Sequence, residues 1–159
     1  MDARKLALSA LCDVTISGAY SNIALDKRLK AIDVSDEDRR LATNLFYTAL
    51  EHRMYIDHVL SAFIESMPDE KIVREILHIA MAQLLYMDRV PDYAAVDAAV
   101  RQIKGYHREQ YAPLINGALR SVIRARDGEG LPVPDRAANP VRYLSIMPKP
   151  LATRSGCRT

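Results

Sequence analysis

The feature that most constrains this chain is how few helix breakers its first hundred residues contain. Gly18 is the only glycine before Gly105, and the first proline is Pro68. Within that stretch apolar residues recur at three and four positions. Leu41, Ala42, Leu45, Phe46, Ala49 and Leu50 form one such stripe, which is the signature of a helix burying one face. Ser35 with Asp38 three residues on makes a variant capping box, so the spacing predicts a helix over 36–52. Ile72, Val73, Ile76, Leu77, Ala80, Gln83 and Leu84 predict another over 70–86, opened by Pro68-Asp69. Pro91 lies beyond its end, and Asp92 is expected to cap the next helix.

Shorter stripes place helices over 3–16, 22–31, 55–65, 93–104 and 111–126. Gly105 is expected to end the 93–104 helix as a C-terminal glycine cap. Gly117 sits inside the last helix, where glycine costs about 1 kcal/mol against alanine, and a close helix crossing would explain it. No sustained alternation bounded by turn pairs marks a strand. The expected fold is therefore an all-α bundle of about seven helices over 1–126. From Asp127 the character changes. Residues 127–159 hold five of the eight prolines and three of the six glycines. Gly128 to Pro134 reads as a linker, Tyr143-Leu144-Ser145-Ile146 is a short apolar patch, and the remainder is an irregular tail.

At 159 residues, 49% hydrophobic and 26% charged, the chain can bury roughly two thirds of its unfolded surface in one core. Cys12 and Cys157, the two cysteines, make neither a disulfide framework nor a four-cysteine zinc site. No window approaches the roughly 18 apolar residues of a membrane span, and the N-terminus lacks the pattern of a signal peptide. A cytoplasmic protein is expected. No phosphate-cradling glycine loop and no His-Glu-x-x-His arrangement is present. His78 reads as a packed helix residue and Cys12 as a buried, inert thiol. No catalytic residue, metal site or cofactor is expected. Charge is divided unevenly: residues 1–100 sum to −5 and residues 101–159 to +7. A basic C-terminal third hints at an anionic partner.

Two stretches say more than their period. Leu84-Leu85-Tyr86-Met87-Asp88-Arg89-Val90-Pro91-Asp92-Tyr93-Ala94-Ala95-Val96, continuing to Val100, resembles the hallmark segment of NusB-like RNA-binding domains. Its form is closest to the one at the N-terminus of bacterial rRNA cytosine-C5 methyltransferases of the RsmB or Sun type. Gly18 to Asp26, Asp38 to Thr43 and Ile115-Asn116-Gly117-Ala118-Leu119-Arg120 are similar to the same group. The resemblance implies a non-catalytic accessory domain that helps place ribosomal RNA. The S-adenosylmethionine site and two catalytic cysteines would then belong to a methyltransferase domain absent from these residues, and residues 127–159 would be the start of that domain, truncated or frame-shifted. Two alternatives stay open. One is a stand-alone NusB-type antitermination factor that binds leader RNA together with a NusE-type ribosomal protein. The other is a helical protein-interaction module.

RNA binding needs cations for phosphates and flat side chains for unstacked bases. The expected contacts fall in two groups. Arg4 and Lys5 lie at the start of the first helix, where the helix dipole disfavours cations unless an anion approaches. Tyr20 in the next loop either stacks a base or packs on the core. The second group is Arg101, Lys104, His107, Arg108, Arg120, Arg124 and Arg126. Of these, Arg101, Lys104 and Arg108 are expected on one side of their helix, with Arg120 and Arg124 sharing a face. The face serves RNA, a catalytic domain, or solvent alone.

Overall fold

The computed structural model describes residues 2–132, and the patch at 143–146, Cys157 and the rest of the expected tail lie outside them. The described residues form seven α-helices and no strand: α1 (Ala3–Thr15), α2 (Ser21–Ala31), α3 (Asp36–Glu51), α4 (Arg53–Ser61), α5 (Lys71–Tyr86), α6 (Asp92–Gly105) and α7 (Ala112–Asp127). A single 3-10 turn, Glu109–Tyr111, leads into α7. The all-α bundle expected from the period is the fold observed.

Side-chain caps open two of the helices. The Asp2 carboxylate accepts from the Arg4 amide at 3.1 Å and opens α1. The Ser35 hydroxyl accepts from the Asp38 amide at 3.1 Å and opens α3. Both satisfy amides that the first helical turn leaves without an internal partner. Gly18, at φ +77°, turns the chain between α1 and α2. His52 leaves helical geometry and separates α3 from α4, its ring stacked on Tyr86 with centroids 3.9 Å apart. The helix expected over 55–65 starts earlier, at Arg53, and stops at Ser61, yet Ile64 in the following turn remains buried.

Three local expectations are overturned. Pro91, not Asp92, is the cap residue of α6, and no side chain caps that end. The proline fixes the extended backbone that precedes the helix, which frees the Asp92 carboxylate for another role. Gly105 is still helical, and the left-handed residue after α6 is His107, at φ +57°. The His107 amide donates to the Lys104 carbonyl at 3.0 Å and the Arg108 amide to the Ile103 carbonyl at 3.1 Å, a Schellman closure with histidine where glycine is usual. Gly117 lies at no close crossing. It is exposed, and a Cβ built there meets nothing within 4 Å.

The core is organised around α5. Its stripe reads as amphipathic, but twelve of its 16 residues are buried. A helix apolar on nearly all sides belongs inside, and α5 packs against α1, α3, α4, α6 and α7. Phe46, Leu6, Leu11, Leu45, Ile56 and Leu119 are among the fully buried side chains around it. Three polar residues go in with them: Glu75, His78 and Gln83. Each has a partner. Glu75 takes a bidentate pair from Arg53, both bonds 2.8 Å. His78 Nε2 lies 2.7 Å from Asp57 Oδ1, and Arg74 also binds that carboxylate. Gln83 donates to the Ile79 carbonyl and accepts from Arg4.

Candidate nucleic-acid interface

The C-terminal pair of helices brings several exposed cations together. In α7, Ile115, Ala118, Leu119 and Val122 are buried. Pro113, Gly117, Arg120 and Arg124, spaced by four, three and four, face outward. The helix contains no acidic residue before Asp127. Beside it α6 exposes Tyr93, Asp97, Arg101 and Lys104. Between the two helices runs an open groove of about 640 Å³, whose polar lining includes Tyr93, Asp97, Lys104, Asn116 and Arg120. Lys104 from one helix and Arg120 from the other thus meet across one depression. Arg120 Nε donates to Asn116 Oδ1 at 3.2 Å, which steadies the guanidinium. No carboxylate pairs with Lys104, Arg120 or Arg124 among the described residues. Arg124 donates to the Ser121 hydroxyl at 3.0 Å.

The remaining expected contacts divide by what holds them. Arg101 is paired with Asp97 one turn away at 3.3 Å, on the surface. Arg108 does not continue the Arg101–Lys104 side. It sits past the end of α6, 3.3 Å from Glu70 and donating to the His107 carbonyl. Arg4 is half-buried, with Nε donating to Gln83 Oε1 at 2.6 Å. The anion beside that helix end is the chain's own Asp2 carboxylate. Lys5 is exposed and makes no ion pair among the described residues. Tyr20 does not pack on the core. It is 78% exposed, flanked by the exposed Ile16 and Ile23.

Arg126 belongs to the fold and not to the basic face. Its two Nη groups grip the Asp92 carboxylate at 3.0 and 2.6 Å, one of them also reaching the Leu84 carbonyl, and its Nε meets Asp127. It ties the ends of α5, α6 and α7 together, and the hydrogen bonds it donates to Asp92 and Asp127 raise its pKa further. The helical spacing carried this signal, because Arg126 stands four residues from the buried Val122. Tyr93 is the residue that the sequence reading left out. It is 73% exposed at the mouth of the groove, and an exposed aromatic in the first turn after Pro91 was the available sign.

The titratable groups elsewhere are structural. Burial pushes the Cys12 thiol up to about 12, so it stays protonated, as expected of an inert cysteine. Burial also works against the Asp57 carboxylate, but the hydrogen bonds from His78 and Arg74 outweigh it and hold the group well below the usual range. His78 is fully buried, and desolvation lowers its pKa although Asp57 opposes the shift. No three His, Cys, Asp or Glu side chains gather as metal ligands among the described residues. Among the same residues no helix is long and apolar enough to cross a membrane.

Comparisons with known proteins agree with this architecture. The model of the NusB family matches residues 1–124. The chain is 35% identical over 143 residues to the "Probable ribosomal RNA small subunit methyltransferase B" of Bacillus subtilis (strain 168), covering 89% of this chain and 31% of that protein. It thus spans about a third of the length of that relative. It is 29% identical over 127 residues to the "Transcription antitermination protein NusB" of Nocardioides sp. (strain ATCC BAA-499 / JS614), covering 77% of this chain and 91% of that protein. Among solved structures, a chain in a crystal structure of antitermination factors NusB and NusE in complex with dsRNA superposes with a TM-score of 0.69. Its identity is 21%, and the match covers 77% of this chain and 94% of that one, which speaks to the fold alone. With the helical order, the buried α5 and the matched 124 residues in hand, the chain belongs to the NusB family.

Proposed function

We propose that this chain is an RNA-binding accessory domain of the rRNA cytosine-C5 methyltransferase type, which holds ribosomal RNA by neutralising phosphates and matching its shape. The observation that carries this reading is the α6–α7 groove, lined by Tyr93 and Asn116 together with Lys104 and Arg120, which have no carboxylate partner among the described residues. Cations without internal carboxylates suit a polyanion, and an exposed ring beside them suits an unstacked base. Arg124 extends the positive stripe along α7, while Lys5 on α1 and Tyr20 in the following loop offer a separate exposed cation and a second ring. Arg4, Arg101 and Arg108, each already engaged, contribute field more than direct contact. The domain ends near residue 126, and its work is placement: methyl transfer in the longer relatives then belongs to other residues. A ribosomal RNA partner sets the protein in the cytoplasm.

Titrating a short fluorescein-labelled single-stranded RNA of mixed sequence, followed by anisotropy across a salt series, tests this. The expected result is binding that weakens steeply with salt. Lys104→Ala and Arg120→Ala should each lower the slope of log affinity against log salt by about one. Absence of binding at low salt would overturn the reading in favour of a protein-interaction module, and methyl transfer from S-adenosylmethionine by this chain alone would contradict the accessory role.

A second reading has its own support. The match to the Nocardioides NusB protein spans 91% of that relative's length, so a stand-alone antitermination factor is of comparable size. Co-elution with a NusE-type ribosomal protein on leader RNA distinguishes it, because the accessory role predicts none.

A further inference from the structure

Gly117 has no explanation inside the described molecule. A glycine in a helix is normally kept for one of three reasons: a left-handed backbone, a helix end, or a neighbour too close for a Cβ. Gly117 lies well inside the 16-residue α7 and is not among the residues with positive φ. A Cβ there would meet no atom within 4 Å. A glycine in this setting weakens the helix relative to alanine. The position is not random, however. Gly117 lies between the groove residues Asn116 and Arg120 and on the same outward stripe as Arg120 and Arg124.

We propose that Gly117 is the point of closest approach of bound RNA. The strip of α7 backbone it leaves bare would receive a ribose-phosphate unit held between Arg120 and Lys104. The inference rests on the RNA-binding reading above and adds where the chain of nucleotides runs. Charge selects the occupant. Arg120 and Arg124 share the outward stripe of Gly117, and Lys104 faces Arg120 across the adjoining groove; none has a carboxylate partner among the described residues, and Asp97 at the groove is engaged by Arg101. A phosphodiester supplies the missing anion, and its narrow backbone fits at the one position of that stripe without a side chain better than a protein side-chain array does.

The test uses one substitution with two readouts of opposite sign. Gly117→Ala should raise the thermal midpoint of the full chain by about 2–6 °C, because it removes a helix-weakening glycine without creating a clash. The same change should weaken binding of the labelled single-stranded RNA about five-fold or more, as expected for a residue at an interface centre. Its salt slope should stay that of the parent, since no charge is lost, unlike Lys104→Ala and Arg120→Ala. Gly117→Leu should weaken binding further. Retained affinity in both Gly117 variants would overturn the assignment while leaving the RNA-binding reading intact. A parent chain that binds no RNA at low salt would overturn both. Parent-like RNA affinity together with loss of a co-purified protein partner would assign the strip to a protein instead, and so would also overturn it.

Discussion

Arg124 and Arg126 stand two residues apart in α7 and do opposite work. Arg126 is gripped by Asp92, Asp127 and the Leu84 carbonyl where three helices end. Arg124 is exposed and, among the described residues, reaches the Ser121 hydroxyl alone. The same contrast separates two sides of the molecule. Where α4 meets α5, charge is paired: Arg53 with Glu75, and Arg74 with Asp57. Along the outer face of α6 and α7, Lys104, Arg120 and Arg124 have no carboxylate among the described residues. Charge that enters a low-dielectric interior must bring its counter-ion with it, or the desolvation penalty destabilises the fold. Charge that remains unpaired on the surface is available to a partner. Partly buried arginines such as Arg53 and Arg126 are tied to carboxylates, whereas Lys104, Arg120 and Arg124 remain available to a partner.

The difference can be broken by mutation, most severely where burial is deepest. Arg53→Ala leaves the Glu75 carboxylate, 2% exposed, without its bidentate partner. A loss of about 3 kcal/mol or more is expected by urea denaturation, the usual consequence of stranding one member of a buried pair. Arg126→Ala removes a partly exposed pair and should cost about 2 kcal/mol. Arg124→Ala should leave stability within about 0.5 kcal/mol and lower only RNA affinity. Equal stability losses for these two arginines would erase the distinction.

The smallest effect is one of pH. His78 has its pKa lowered in the fold from an ordinary 6.5. Above 6.5 the imidazole is neutral in both states and contributes no slope. As the pH falls below 6.5, the unfolded chain takes up a proton that the folded chain resists, so stability declines with acid. Asp57, lowered from 3.8, adds a second decline in the carboxylate range. A series of denaturant midpoints against pH should show the upper limb in the parent and lose it in His78→Gln.

Much of the fold was legible because its signals are local. The stripe of Leu41 to Leu50 and the Ser35 cap located α3, and Pro91 separated α5 from α6 by removing an amide and setting the preceding backbone. Less of the interface was legible. Spacing correctly gave Arg120 and Arg124 one exposed face, and the same arithmetic would have turned Arg126 inward beside Val122. Arg4 and Arg108 looked free because their partners, Gln83 and Glu70, are distant in the chain. Gly105 looked like a cap, but the left-handed position fell to His107, two residues later.

The amino-acid order alone established an all-helical bundle over 1–126, its approximate helix limits and which stripe of each helix seeks the core. These follow from backbone hydrogen bonding and hydrophobic period, which act over a few residues. Only the packed bundle decided that α5 lies at the centre, which cations are already neutralised, and that Lys104 and Arg120 share a groove. Those outcomes depend on the separation between side chains from different helices. A Coulomb interaction or a hydrogen bond is set by that distance, and the period of one helix does not contain it.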